Sequence, residues 1–272
     1  VRKEKLPSVG IIGCGNMGAA LAISLSRSAP VSVFDVQKER QKRVKRQAPA
    51  VFVRALDVLI QKSSYIILAV KPQDMDVVLK EVRAVSLRIS FKEKTFVSIA
   101  AGLSLDFFKQ RLPVGVAVVR TMPNLGLKAG LSYTAVCFDP GVSATRKKDV
   151  QRILATVGAV AVVKEESIDK VTAISGSGPG YIFSFLKALQ EAAVKLGFTQ
   201  AEAERMVRTT SIGTAKLLEK EPFAFDVWSD RVCSKGGTTQ AALDHLRKNK
   251  FDKLVLEAVK KAYERARQLS GQ

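Results

Sequence analysis

The stretch "SVGIIGCGNMGAALAISL", residues 8–25, constrains this chain more than any other. A short β-branched run leads into Gly13-x-Gly15-x-x-Gly18, and an apolar pattern at helical spacing follows. Between a strand and a helix each glycine has a physical task. Gly13 permits a tight turn, Gly15 lets the backbone approach a pyrophosphate, and Gly18 lets the helix pack against the strand. The free N–H groups at the helix start then face an anion. The run Ile12, Gly13, Cys14, Gly15, Asn16, Met17 and Gly18 is therefore expected to border a dinucleotide. Behind the basic "RKEK" this apolar stretch also imitates a secretory signal, but the glycine spacing assigns it to the loop.

The next strand-like run, "VSVFD", ends at Asp35. A carboxylate there is placed to accept hydrogen bonds from the adenosine ribose and to repel a 2′-phosphate, which favours NADH. Lys38 and Arg40 follow closely enough to offset part of that repulsion. The competing role for Asp35 is that of a helix N-cap.

From Ser8 to about Val163, strand-like runs alternate with helical patterns. The runs are "SVGII", "VSVFD", "AVFV", "YIILAV", "TFVSIAA", "GVAVVR", "YTAVCF" and "AVAVV". Such alternation predicts a Rossmann-like α/β domain, a mostly parallel doubly wound sheet covered on both faces, over residues 1–163. After Lys164 apolar residues recur at three and four with no strand-like run, so residues 164–272 are expected to be all helix. Gly197 should end one helix, and Thr199 should cap the next with Glu202 as its capping-box partner.

Composition narrows the function classes. The chain is 47% hydrophobic and 25% charged, an ordinary globular balance. No apolar run approaches the roughly 20 residues of a membrane span. Cys14, Cys137 and Cys233 show neither CxxC nor Cys/His spacing, so no metal site is expected and a reducing cytoplasm is the default. The single histidine, His245, falls in a polar helical stretch and reads as a surface residue. The net charge is +19, and "KERQKRVKRQ" (Lys38 to Gln47) packs six cations into ten residues. Without aromatic interleaving these read as a solvated lysine-rich surface rather than a nucleic-acid interface.

A second glycine motif lies far downstream, in "RVCSKGGTTQAALDHL". Two glycines and two threonines at the mouth of a helix can be a capped loop, or a site that needs bare N–H groups and a hydroxyl beside a ligand.

Four motifs in order, "LAVKPQ" (68–73), "RTMPN" (120–124), "TAISGSGPGY" (172–181) and "SKGGTT" (234–239), resemble the pyrroline-5-carboxylate reductases over essentially the whole chain. The resemblance implies reduction of the cyclic imine 1-pyrroline-5-carboxylate to L-proline with NAD(P)H. It implies that Val70 and Lys71 border the cofactor, that Ala101 lies by the nicotinamide, and that Met122, Pro123 and Asn124 wall nicotinamide from substrate. Glu165 matches a position close to the imino acid. Ser234, Gly236, Gly237, Thr238 and Thr239 match the loop that holds its carboxylate, with the Thr239 hydroxyl near the ring nitrogen as the catalytic candidate. The family's helical domains interlock into homodimers.

The sequence also departs from that pattern. Lys235 stands where a proline precedes the two glycines, "MPNLG" replaces a second proline-containing motif, and Leu56 occupies a position where asparagine is common. "EPFAFDVWSDRV" lengthens the approach to the glycines, and Arg231 replaces an uncharged residue.

Imine reduction needs little acid–base machinery, because the protonated imine carries its own positive charge. The protein must hold the reacting carbons about 3–3.5 Å apart. Backbone donors at Gly236, Gly237 and Thr238 suit a carboxylate, whereas Ser175 and Ser177 suit either tight helix crossing or ligand contact. The competing readings are a reductase of a related imino acid, a 3-hydroxy-acid reductase, and a non-catalytic nucleotide- or nucleic-acid-binding paralogue. Lys187 sits too far past Pro179 to serve as a hydroxy-acid lysine.

Overall fold

The computed structural model describes residues 5–271. Arg2 and Lys3 of the basic opening run lie outside the described residues. The chain forms two compact units. One runs to Ser177 and takes in the chain again from Ala262, and the other is Gly178–Lys261.

The first unit alternates strand and helix: β1 (Val9–Ile12), α1 (Asn16–Leu25), β2 (Val31–Phe34), α2 (Lys38–Gln47), β3 (Phe52–Val53), α3 (Leu56–Lys62), β4 (Tyr65–Leu68), α4 (Met75–Ser86), β5 (Thr95–Ser98), α5 (Leu105–Lys109), β6 (Ala117–Met122), β7 (Ser132–Phe138), α6 (Ala144–Ala155) and β8 (Gly158–Val162). The strands form one sheet in the order β3-β2-β1-β4-β5-β6-β7-β8. Val9 pairs in parallel with both Val31 and Tyr65, so β1 lies inside the sheet beside the point where the strand order reverses.

Residues that alternate along the strands face two different cores. Val9, Ile11, Val33 and Ile67 pack with Leu21 and Leu25 of α1, Val44 of α2 and Leu154 of α6. Ile12, Ile66, Leu68 and Phe96 pack with Leu59 of α3, Leu79 of α4 and Phe108 of α5. Each fully buried side chain of this kind stabilises the fold by about 1.5–3 kcal/mol. Apolar runs buried on both faces are what a parallel sheet demands.

One strand breaks the parallel pattern. β7 runs antiparallel to β6, with Arg120 opposite Cys137. The link between them is a 3₁₀ turn, Leu125–Ala129, ended by Gly130 in the left-handed region. That connection is too short for the crossover that a parallel neighbour needs, so the chain turns back. The run "AVFV" yields only the two-residue edge strand β3.

Periodicity changes near residue 164, but the first unit continues to Ser177. The reason is packing: in the short helix α7 (Ile168–Val171), Ile168 is buried in the core shared with β6 and β7, and Ala173 is buried in the π-turn that follows.

The second unit is helical: α8 (Gly178–Lys195), α9 (Gln200–Lys220), α10 (Phe225–Val232), α11 (Thr238–Lys248) and most of α12 (Phe251–Ser270). Thr199 and Glu202 close the expected capping box at the start of α9. Ile182, Phe183, Phe185 and Leu189 leave one stretch of α8 apolar and exposed. Among the described residues no helix is long and apolar enough to cross a membrane.

Candidate active site

The glycine loop of the first unit is built as its sequence requires. Gly13 has φ of +101°, and its N–H donates to the Phe34 carbonyl at 2.8 Å, joining the loop to the end of β2. A Cβ on Gly18 would come within 1.9 Å of the Gly13 carbonyl oxygen, so α1 and the loop pack at a distance only glycine allows. Gly15 caps α1 without any side-chain acceptor. The first-turn N–H groups at Asn16, Met17 and Gly18 are therefore free to meet an anion. This cradle fits the pyrophosphate of a dinucleotide.

Asp35 is buried at 6% exposure just beyond β2. Its Oδ2 accepts the Cys14 N–H at 2.7 Å, and its Oδ1 accepts the Gln37 N–H at 2.8 Å. Gln41 donates to the Asp35 carbonyl. The N-cap of α2 is Gln37, not Asp35, so the carboxylate braces the glycine loop from outside the helix. Arg40 approaches Oδ2 at 3.8 Å, and Arg43 donates to the Cys14 carbonyl at 3.4 Å. Burial, reinforced by the Asp35 charge, pushes the Cys14 thiol up to about 12.

The other expected cofactor residues follow the C-terminal ends of neighbouring strands. Ala69 N–H donates to the Ile12 carbonyl at 2.8 Å, which brings the next residue, Val70, against Gly13. Lys71 is exposed and precedes the 3₁₀ turn Pro72–Asp74. Ala101 lies in the loop after β5, which starts with Ala100 N–H donating to Ser98 Oγ at 3.2 Å.

Met122, Pro123 and Asn124 close β6. Asn124 donates through Nδ2 to Ser175 Oγ at 2.9 Å and accepts the Gly126 N–H at 2.9 Å. A Cβ on Gly176 would meet Met122 Cε at 2.6 Å. The small residues of "SGSG" thus let the π-turn Thr172–Gly176 press directly onto the "MPN" segment. Such π-turns are frequent at functional sites.

Glu165 is not isolated. Its Oε1 accepts the Leu105 N–H at 2.6 Å and lies 3.3 Å from Arg120 Nη1. Arg120, 1% exposed, reaches Asp169 Oδ1 at 2.7 Å through Nη2. Arg120 and Asp169 were invisible as site residues in sequence. The one available signal was a charged residue inside the apolar run "GVAVVR".

In the second unit, Ser234–Gly237 forms a turn in which Gly237 N–H donates to the Ser234 carbonyl at 2.9 Å. Gly236 has φ of +72°, and a Cβ on Gly237 would lie 2.3 Å from Ser234 Oγ. Gly237 then opens α11 with no side-chain cap, leaving first-turn N–H groups at Thr238 and Thr239 for an anion. Lys235 is exposed at the turn. Arg231 pairs with Glu221 at 3.3 Å and lies 3.7 Å from the Phe223 ring centroid, so it serves to brace the lengthened approach. His245 is exposed in the last turn of α11, and Lys187 pairs with Glu191 on the surface of α8.

A doubly wound sheet with a dinucleotide cradle, followed by a helical segment, defines an NAD(P)-dependent oxidoreductase. Residues 8–102 match the family model described as NADP oxidoreductase, coenzyme F420-dependent. Residues 165–269 match the model for pyrroline-5-carboxylate reductase dimerisation. The chain is 29% identical over 267 residues to the pyrroline-5-carboxylate reductase of Staphylococcus aureus, covering 95% of this chain and 96% of that one. It superposes on the structure of a pyrroline-5-carboxylate reductase from Coxiella burnetii with a TM-score of 0.87, at 28% identity over 98% of this chain and 99% of that one. The Plasmodium falciparum pyrroline carboxylate reductase, solved with NADP bound, gives a TM-score of 0.84 at 26% identity, over 98% of this chain and 100% of that one. Over nearly its whole length the chain is thus similar to pyrroline-5-carboxylate reductases.

Proposed function

We propose that this protein reduces 1-pyrroline-5-carboxylate to L-proline with a reduced nicotinamide dinucleotide. The observation that carries the proposal is a pair of helix mouths: α1 and α11 each open at a glycine with no side-chain acceptor. One suits a pyrophosphate and the other a carboxylate, the two anions this reaction must hold.

NAD(P)H, when bound, supplies the hydride. Ile12 through Gly18 hold its pyrophosphate, Val70 and Lys71 border it, and Ala101 with Met122, Pro123 and Asn124 shape the nicotinamide end. In the second unit the turn of Ser234, Gly236 and Gly237, closed by the Gly237 N–H on the Ser234 carbonyl, presents the first-turn N–H of Thr238 to the substrate carboxylate. Hydrogen bonds to a charged group of this kind contribute about 1.5–3 kcal/mol each. Thr239 orients the ring nitrogen through its hydroxyl, and Glu165 lines the imino-acid side. The protonated C=N bond accepts a hydride at carbon, and the ring nitrogen keeps its proton as the amine of proline. No strong general acid is needed.

NADH is the preferred donor in this account. Asp35 is fixed beside the ribose position by two backbone N–H groups, so a 2′-phosphate meets a standing negative charge. Arg40 offsets part of that repulsion. The exposed apolar stretch of α8 is the surface a second copy covers in a homodimer. The three free cysteines suit a reducing cytoplasm.

The test is cofactor oxidation by the purified protein in the presence of 1-pyrroline-5-carboxylate, run with NADH and NADPH in parallel. Turnover that depends on the imine, faster with NADH, is expected. No turnover with either cofactor overturns the proposal.

A further inference from the structure

The last turn of α12 belongs to the first unit, not to the helical one. Ser270 Oγ donates to Asp169 Oδ2 at 2.6 Å. Asp169 is 3% exposed, and its other oxygen is taken by Arg120. One carboxylate therefore fastens the end of α12 to the strand that carries Met122. The adjacent residue makes the second attachment. Gly102 has φ of +74°, and a Cβ there would meet the Leu269 Cβ at 2.7 Å and its backbone at 3.1 Å. The end of α12 thus lies directly on the loop after β5, one residue past Ala101.

The loop is also held at its far side, where Leu105 N–H donates to Glu165 Oε1 and Leu103 packs against the core, so the turn at Ala101 and Gly102 is the part left to be fixed. Ala100 N–H is held by Ser98 Oγ, and Thr121 Oγ1 holds the Ser98 carbonyl, but both anchors lie before Ala101. Beyond it, Gly102 needs a support that tolerates a left-handed backbone, and the Leu269 backbone supplies one. A buried Arg–Asp pair costs desolvation and gains little stability for that cost. Its geometric value is to give the far end of a helix a single docking position.

We infer that Ser270 and Gly102 are positioning residues for the nicotinamide half of the cofactor, acting through the Ala100–Leu103 loop. This rests on the reading that places nicotinamide beside Ala101, but not on the identity of the imine. Neither residue touches a reacting atom. The adenosine half is held at the ends of β1 and β2 and is independent of them.

Binding separates this from a purely structural role. Fluorescence titration gives the NADH affinity of the intact protein, and calorimetric titration with ADP-ribose, which lacks nicotinamide, reads the other half alone. Ser270→Ala should weaken NADH about fivefold, a fraction of what a lost hydrogen bond to a charged group is worth because the effect reaches the cofactor only through the loop, with ADP-ribose affinity unchanged. Ser270→Thr, which keeps the hydroxyl, should restore NADH binding. Gly102→Ala should act in the same direction as Ser270→Ala. Unchanged NADH affinity in the Ser270→Ala protein overturns the inference. Equal weakening of NADH and ADP-ribose also overturns it, because that pattern reports general loosening. Imine turnover enters none of these readouts, so a different substrate would leave the result intact.

Discussion

Asp35 Oδ2 accepts the N–H of Cys14 at 2.7 Å, which ties the end of β2 to the middle of the glycine loop. The carboxylate proposed to discriminate between cofactors is thus also a brace for the glycine loop. Both the brace and the proposed discrimination follow from one buried position, where β1 and β2 end side by side.

Asp35→Ala removes the repulsion of a 2′-phosphate and the brace together. NADH should lose both ribose contact and loop support, raising its KM about tenfold, whereas NADPH loses support but gains from the missing charge. Steady-state kinetics with each cofactor check this. An equal rise for both would reduce Asp35 to a brace.

Thr239→Val keeps the shape of the α11 mouth and deletes one hydroxyl. The variant should fold as the parent does, with a melting temperature close to it, while kcat falls about tenfold. A rate equal to the parent's would leave Thr239 as a helix-start residue and nothing more.

Arg120→Met removes the guanidinium that pairs with both Glu165 and Asp169 and leaves the buried Asp169 without that partner. Breaking a buried pair from one side costs about 3–5 kcal/mol. Urea unfolding followed by circular dichroism should show a large drop in midpoint. A midpoint within error of the parent's would mean that the carboxylates do not depend on Arg120.

The thiols offer a pH test. Burial raises both Cys14 and Cys137, with Cys14 pushed up to about 12, so at pH 8 each is protonated as well as covered. Cys233 is only half-buried. A chromogenic disulfide reagent should therefore find one fast thiol per native chain and three after denaturation, because the reactive species is the thiolate. Three fast thiols in the native protein would contradict the packing of the glycine loop.

Much of this fold was legible in the residue order. Runs such as "YIILAV" are apolar without alternation because β4 is covered on both faces, and the change to three-four spacing after Lys164 does mark the start of helix. Strand direction was not legible. β7 differs from its neighbours through the brevity of the Leu125–Ala129 link, not through its own residues. The glycine loop and the "GGTT" mouth could be read because local backbone geometry selects glycine. The Arg120–Asp169–Ser270 chain could not, since its members are separated by 49 and 101 positions and each alone resembles an ordinary polar residue. Asn124 and Ser175 likewise show their hydrogen bond only when the π-turn folds onto β6.

The central claim is that hydride moves from the nicotinamide to the imine carbon of pyrroline-5-carboxylate. Turnover with NADH deuterated at its transferable position, followed by mass spectrometry and NMR of the amino acid formed, tests this directly. The account predicts proline carrying one deuterium on the ring carbon that was double-bonded to nitrogen. Recovery of unreacted imine, or of proline without deuterium there, would contradict it.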